Sequence, residues 1–92
     1  MSTNNPESTA GDENVAHGAE DTSVKALEVA IGRQVRTLRK RLNMTVANLA
    51  KQAQMSSGML SKIENGLTSA SLATLNALAN ALHVPVTSLF RG

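Results

Sequence analysis

Apolar residues recur at helical intervals over most of the chain after residue 22. Between residues 23 and 43 they lie three or four positions apart, at Val24, Leu27, Ile31, Val35, Leu38 and Leu42. Residues at this spacing share one face of a helix. Ser23 suits the N-cap, and Asn43 suits the left-handed position just beyond a helix end. The pattern therefore predicts one long first helix.

Two short helices with the same kind of start are predicted next, within MTVANLAKQAQMSSGMLSKIENG at residues 44–66. Met44-Thr45 precedes Leu49 by the same spacing as Met55-Ser56 precedes Leu60. In each unit the hydroxyl residue is the N-cap, and the Met at N′ packs on the Leu at N4 as a hydrophobic staple. A join of about two residues favours a steep crossing. Asn65-Gly66 ends the second helix, because glycine adopts a positive φ without strain.

The remaining chain predicts two more helices and no strand. The first runs from about Ser71 to Leu82, and its inward face consists of Leu72, Leu75, Leu78, Ala79 and Leu82. A last helical turn begins after Val84, with Pro85 at N1 and with Leu89 and Phe90 as apolar anchors. The fold class is thus all-α, with five helices in one domain over residues 23–92. Residues 1–22 lack apolar periodicity and are predicted to be a disordered acidic tail.

Composition excludes several classes of function. The chain has no cysteine, which rules out disulfides and thiolate metal sites. The two histidines, His17 and His83, lie far apart and lack ligand spacing, so no metal or cofactor is expected. The apolar runs are too short for a membrane span, and the N-terminus is unlike a secretory signal. We therefore expect a cytoplasmic protein without a membrane partner.

Charge is distributed unevenly along the chain. All nine Lys and Arg residues follow residue 23, together with only Glu28 and Glu64, whereas residues 1–23 carry the other five acids and no basic residue. Such asymmetry indicates nucleic acid or another anionic surface, although a basic face that is merely solvated is a common alternative. A weaker hypothesis is that the acidic tail folds onto the basic face and competes with DNA. A solubilising leader is the favoured alternative.

A helix-turn-helix is one interpretation of two capped short helices in a basic all-helical domain, although small bundles use such turns too. The run from Ile31 to Phe90 resembles the phage Cro/repressor (xenobiotic-response-element) helix-turn-helix family of transcriptional regulators. Its most specific parts are Arg-x-Leu-Arg at 36–39, Leu49-Ala50, LSKIENG at 60–66, and Leu72-x-x-Leu75 leading to Ala-Leu-x-Val at 81–84. The resemblance implies a lambda-repressor-like domain that binds selected double-stranded DNA sequences, with its helix-turn-helix at about 45–65. An enzyme is not expected, since the chain lacks a nucleophile–base pair, a metal cluster and a phosphate loop.

The resemblance also assigns roles to individual residues. The helix over about 57–65 would be the recognition helix in the major groove, and the helix over about 46–53 would cross the DNA backbone. The residues implied in DNA contact are Arg41, Thr45, Val46, Ser56, Ser57, Gly58, Met59, Ser61, Lys62, Asn65, Thr68 and Ser69. For the Ser and Thr residues, plain helix capping is an alternative that is compatible with DNA contact. Candidates for the electrostatic contribution are Arg33, Arg36, Lys40, Arg41 and Lys51.

Arg39 and Glu64 occupy positions that often hold an ion pair in this family. We predict that they pair here and fix the recognition helix on the first helix. The alternative is two solvated charges, worth about 0–1 kcal/mol.

Three features depart from the family pattern. Gln54 and His83 stand where glycine is common, and a non-glycine residue at Gln54 costs about 1 kcal/mol and is expected to alter the turn slightly. The outward face of the recognition helix offers Lys62 and small hydroxyls instead of Arg, Gln or Asn, which make bidentate base contacts. We therefore expect modest direct readout, assisted by DNA shape. The alternative function is a protein-interaction module of the same fold, such as a bridging factor or an antitoxin-like subunit.

The resemblance further implies a homodimer on DNA, located at the bacterial nucleoid when bound. Many relatives with an SSGMLSKIENG-like run continue into a cupin-like sensor domain. We accordingly expect this chain to be the N-terminal part of a longer regulator, in which a small-molecule effector would act only through the missing C-terminal domain.

Overall fold

The computed structural model describes residues 12–91, and over residues 12–21 it describes the helical backbone alone. The described part is all-α, as predicted, without a strand. Its elements are α1 (Asp12–Arg41), α2 (Val46–Gln52), α3 (Ser57–Glu64), α4 (Leu72–Ala81) and a 3₁₀ helix (Val86–Phe90). None of the helices in this part of the chain is long and apolar enough to cross a membrane.

The fifth predicted helix is a 3₁₀ helix, so the described chain has four α-helices where five were predicted. Pro85 is its N-cap and not its first helical residue, and no side chain caps this end. The N–H of Ser88 donates to the carbonyl oxygen of Pro85, three residues back, at 2.9 Å. Five residues without a cap do not offset the cost of nucleating an α-helix, and such short turns are typically 3₁₀.

Helix α1 begins at Asp12, eleven residues before the predicted N-cap Ser23, which lies inside the helix. Residues 12–22 contain no proline, so a helix nucleated by the packed residues further on can extend through them, gaining one hydrogen bond per residue. The predicted tail over 1–22 therefore overlaps α1, and its residues 1–11 lie outside the described residues. Apolar periodicity indicates where a helix is packed, and it does not mark where the helix begins.

All four α-helices end in the same hydrogen-bonded motif. The residue after each C-cap has a positive φ: 57° at Asn43, 60° at Gln54, 70° at Gly66 and 61° at His83. At α3, the N–H of Gly66 donates to Ile63 O at 3.1 Å and that of Leu67 to Lys62 O at 2.9 Å, which is the Schellman pattern. The same two bonds recur around Gln54, so the turn keeps its form without glycine. The positive φ of Gln54 costs about 1 kcal/mol of backbone strain relative to glycine.

The core lies where α1 contacts α3 and the 3₁₀ helix, and where α2 contacts α3 and α4. Its fully buried large side chains are Val35, Leu49, Leu60, Leu78 and Leu89. The two staple leucines are thus at the centre, and their methionine partners pack against the same cluster.

The apolar faces predicted for α1 and α4 are only partly buried. The two ends of the apolar face predicted for α1 are half exposed, with Val24 and Leu27 at one end and Leu42 at the other. The buried apolar residues of this face, Ile31 and Val35, lie between them. Leu72 was predicted to face inward and is 65% exposed, because it is the first residue of α4 and lies outside the packed face. Phe90 is also half exposed, so Leu89 is the only one of the two predicted anchors that is buried in the core.

Candidate nucleic-acid interface

The start of α2 is fixed by a reciprocal capping box. Thr45 Oγ1 accepts a hydrogen bond from the backbone N–H of Asn48 at 3.0 Å, and Asn48 Oδ1 accepts one from the N–H of Thr45 at 3.3 Å. A box of this kind satisfies two otherwise unpaired donors of the first turn. Thr45 is therefore the predicted cap, and Asn48 is its partner, which the sequence reasoning missed.

Helix α3 has a buried side and an exposed side. Ser56 Oγ accepts from the N–H of Met59 at 3.1 Å and so begins the helix. The buried side consists of Leu60, Ile63 and Glu64. The exposed side carries Ser57, Gly58, Met59, Ser61, Lys62 and, at the C-cap, Asn65. Gly58, Lys62 and Asn65 are four and three residues apart, so the predicted outward residues form one continuous surface along the helix.

The predicted ion pair is present and links the buried side of α3 to α1. Arg39 donates from Nε to Glu64 Oε2 at 2.7 Å and from Nη2 to Glu64 Oε1 at 3.0 Å, a bidentate arrangement. The two side chains are 10% and 5% exposed, which excludes the solvated alternative. The hydrogen bond to Glu64 raises the pKa of Arg39 above its ordinary value, against an opposing effect of burial. The third donor, Nη1, reaches Met44 O at 2.8 Å, which ties the α1–α2 connection to the same pair.

Helices α1 and α3 are in close backbone contact at Gly32. A Cβ atom at this buried glycine would lie 2.1 Å from the carbonyl oxygen of Ile63 and 2.8 Å from that of Glu64. No side chain fits between the two backbones. The absence of a Cβ therefore sets the depth at which α3 is seated on α1, and the ion pair fixes the same end of α3 a few residues away.

The loop after α3 is held by two α1 side chains that the sequence reasoning missed. Lys25 Nζ donates to the carbonyl oxygen of Gly66, and Ser69 Oγ donates to Glu28 Oε2. The i, i+3 spacing of Lys25 and Glu28 shows only that they share a face of α1. Their partners lie 41 residues away in sequence, and no local pattern predicts them.

The residues predicted to contact DNA differ in their exposure and in whether their side chains already make hydrogen bonds within the domain. Most are exposed, and Val46 and Thr68 are half buried, with Val46 packed against the core. Thr68 Oγ1 donates to Ser69 O at 3.4 Å, and Asn65 Nδ2 to Ser61 O at 2.9 Å. A phosphate contact by Ser69 would require its hydroxyl to leave Glu28.

The basic residues proposed for the electrostatic contribution are all exposed: Arg33, Arg36, Lys40, Arg41 and Lys51. Four of them lie on the second half of α1. Within the described residues no group of His, Asp and Glu side chains is arranged to hold a metal ion.

Residues 30–89 match the model of a protein family described as a helix-turn-helix domain. The chain belongs to this helix-turn-helix family. The match covers α1 from Ala30 onward, all of α2, α3 and α4, and the 3₁₀ helix as far as Leu89, so it includes the ion pair and both capped helices. Membership and the similar proteins described below confirm the function predicted for this domain, which is sequence-specific DNA binding in transcription regulation. These similar proteins are DNA-binding regulators and not enzymes.

Three known proteins illustrate the similarity. The immunity repressor of Bacillus phage phi105 is 33% identical over 61 residues, which cover 66% of this chain and 42% of the repressor. The crystal structure of the restriction-modification controller protein C.AhdI from Aeromonas hydrophila has a TM-score of 0.69 at 28% identity, covering 71% of this chain and 98% of that one. The clp gene regulator ClgR from Corynebacterium glutamicum has a TM-score of 0.67 at 30% identity, covering 68% and 67%.

The relatives differ in length. This helix-turn-helix chain spans 42% of the phage repressor but nearly all of the controller protein. The predicted cupin-like domain lies beyond the sequence and gains no support from these matches.

Proposed function

We propose that α3 is the recognition helix of this helix-turn-helix domain and that it enters the major groove of double-stranded DNA. The observation that carries the proposal is the division of α3 into two sides. Its inner side is fixed by Leu60, Ile63 and the Arg39–Glu64 pair, and its outer side is exposed along its whole length. A helix that contacts bases in the major groove must be held rigidly by the rest of the domain, since contacts to base edges depend on the exact position of the helix.

Helices α2 and α3 contact each other, and each begins at a hydroxyl residue that caps it. Thr45 and Ser56 are both exposed and both accept from backbone N–H groups. In helix-turn-helix complexes the first helix crosses the DNA backbone, and polar groups of this kind contact phosphates. The two caps therefore serve the fold, and their exposed edges are available to the DNA backbone.

Sequence selectivity on this surface comes from few side chains. Lys62 is the one charged outward residue of α3 and can donate to guanine O6 or N7, and the hydroxyls of Ser57 and Ser61 can bond to several bases. We propose that selectivity combines these contacts with DNA shape. A homodimer would place two α3 helices about 34 Å apart, in successive turns of the major groove. Two such helices would contact twice as many base pairs as one. The site of action would be the nucleoid in the cytoplasm.

Replacing Lys62 with alanine tests the proposed surface. In vitro selection first identifies a bound duplex, and fluorescence anisotropy then measures Kd at several salt concentrations against a scrambled duplex. We expect Lys62→Ala to weaken binding to the selected duplex about tenfold, in line with the loss of about 1–3 kcal/mol for one base contact. Arg91→Ala is the control, because it removes the same charge outside the predicted contact set.

Two results would contradict the proposal. If the wild-type protein binds no duplex at about 50 mM salt, DNA binding itself is disproved, since phosphate contacts dominate affinity at low salt. This result would favour the protein-interaction alternative. A Lys62→Ala variant with unchanged affinity and unchanged preference would leave DNA binding in place but move the reading surface away from α3.

A further inference from the structure

Three glycines, at positions 32, 58 and 66, lie where their surroundings are described, and the fold explains two of them. Gly32 has no room for a Cβ between α1 and α3. Gly66 has a φ of +70°, and a Cβ there would lie 2.8 Å from Val29 Cγ2. Neither position accepts another residue without strain.

Gly58 has no such explanation within the domain. It is exposed in the first turn of α3, its φ lies outside the left-handed region, and a Cβ there would meet nothing within 4 Å. A helical position of this kind favours alanine, because glycine loses more backbone freedom on folding.

The other short helices provide an internal comparison. The second helical residue is Ala47 in α2, Gly58 in α3 and Ala73 in α4, and each follows the same type of Thr or Ser N-cap. All three positions are exposed. The same local structure therefore carries alanine twice and glycine only in the proposed recognition helix.

We propose that Gly58 is a specificity-determining residue, at which the α3 backbone lies against the edge of a base pair too closely to admit a Cβ. The inference rests on the proposed entry of α3 into the major groove. N-terminal residues of a recognition helix are the ones nearest the bases, and glycine allows close approach of a backbone to a ligand. Ser61 and Lys62 follow at three and four residues and flank the same spot on the helix surface. Glycine at position 58 lets α3 come close enough for the Ser61 hydroxyl and the Lys62 amine to reach the bases.

The test is a pair of opposite substitutions. Gly58→Ala should raise the melting temperature by about 2–5 °C, because alanine is the better helix former. It should weaken binding to the selected duplex about tenfold or more, as expected when a methyl group is forced into a close-packed contact. Binding to the scrambled duplex should change less than twofold. Ala73→Gly is the matched control: it should lower the melting temperature and leave both dissociation constants within twofold.

Three outcomes would overturn the inference. A Gly58→Ala variant that binds the selected duplex as tightly as the wild type would show that the close approach does not occur. A lowered melting temperature would mean that the fold itself requires the glycine. Equal losses on the selected and scrambled duplexes would place the contact on the DNA backbone and not on a base pair. Each differs from failure of the proposed function, in which the wild-type protein itself binds no duplex.

Discussion

Glu64→Ala is expected to lower the free energy of unfolding by about 3–5 kcal/mol, because it leaves the Arg39 guanidinium buried without its partner. The side chain of Arg39 is only 10% exposed, so little water can replace the lost carboxylate. Domains of this size have a total stability of about 5–15 kcal/mol, so the variant is close to unfolding. Urea denaturation monitored by circular dichroism measures the difference. Glu64→Gln, which retains the side-chain volume and one acceptor, provides a milder variant if the alanine variant does not fold.

A double-mutant cycle isolates the interaction energy of the Arg39–Glu64 pair from the other contacts of the two residues. Arg39→Ala also removes the bond to Met44 O, and we expect its loss to equal or exceed that of Glu64→Ala. The double variant should lose clearly less than the two single losses added together, because the second substitution removes a charge that the first left unpaired. Arg36→Ala, on the exposed side of α1, should change stability by less than about 0.5 kcal/mol. Additive losses would contradict the pairing.

Gly32→Ala is expected to destabilise the domain by about 3 kcal/mol or more. Its Cβ would lie 2.1 Å from the carbonyl oxygen of Ile63, so α1 and α3 must separate, and neither contact can be relieved by a side-chain rotation. Helix propensity alone predicts the opposite sign, a gain of about 1 kcal/mol from alanine. The sign of the effect in thermal or urea unfolding therefore decides between the two arguments.

Gly58→Ala is the natural control for this substitution. The same methyl group is added to a helical glycine, but in open space, and it should stabilise the domain. A Gly32→Ala variant as stable as the wild type would contradict the close approach of α1 and α3. It would also remove the physical reason for the depth at which α3 is seated.

Local sequence signals predicted α2, α3 and α4 to within about two residues. Thr45, Ser56 and Ser71 cap their own helices, and Gly66 ends α3, so each boundary is encoded by residues beside it. The paired charges were predicted from the family resemblance. Their burial became known only from the structure, since it depends on the packing of two helices, and the paired residues are 25 positions apart in sequence.

Features that depend on distant neighbours were missed. Lys25 and Glu28 hold the loop after α3, and their partners are 41 residues away. Gly32 looks like an unfavourable residue inside a helix until the backbone of α3 is placed against it. The start of α1 was missed for another reason. Residues 12–21 of this helix lack a long apolar face in the sequence, so apolar periodicity could not reveal that the helix extends through them. The candidate interface was predicted as a set of residues, but Val46 and Ser69 are engaged in ways that the spacing could not indicate.

Site-directed cross-linking is the most direct test of the claim that α3 lies in the major groove. The chain has no cysteine, so a single Ser61→Cys substitution provides a unique thiol on the exposed side of α3. The selected duplex carries a thiol tether on the C5 position of a pyrimidine, which points into the major groove, at each position in turn. Asn76→Cys, exposed on α4, is the matched control. We expect disulfide capture by Ser61→Cys at one or two adjacent positions of each half-site, and none by Asn76→Cys. Equal capture by both variants, or none by Ser61→Cys in a complex that still forms, would contradict it.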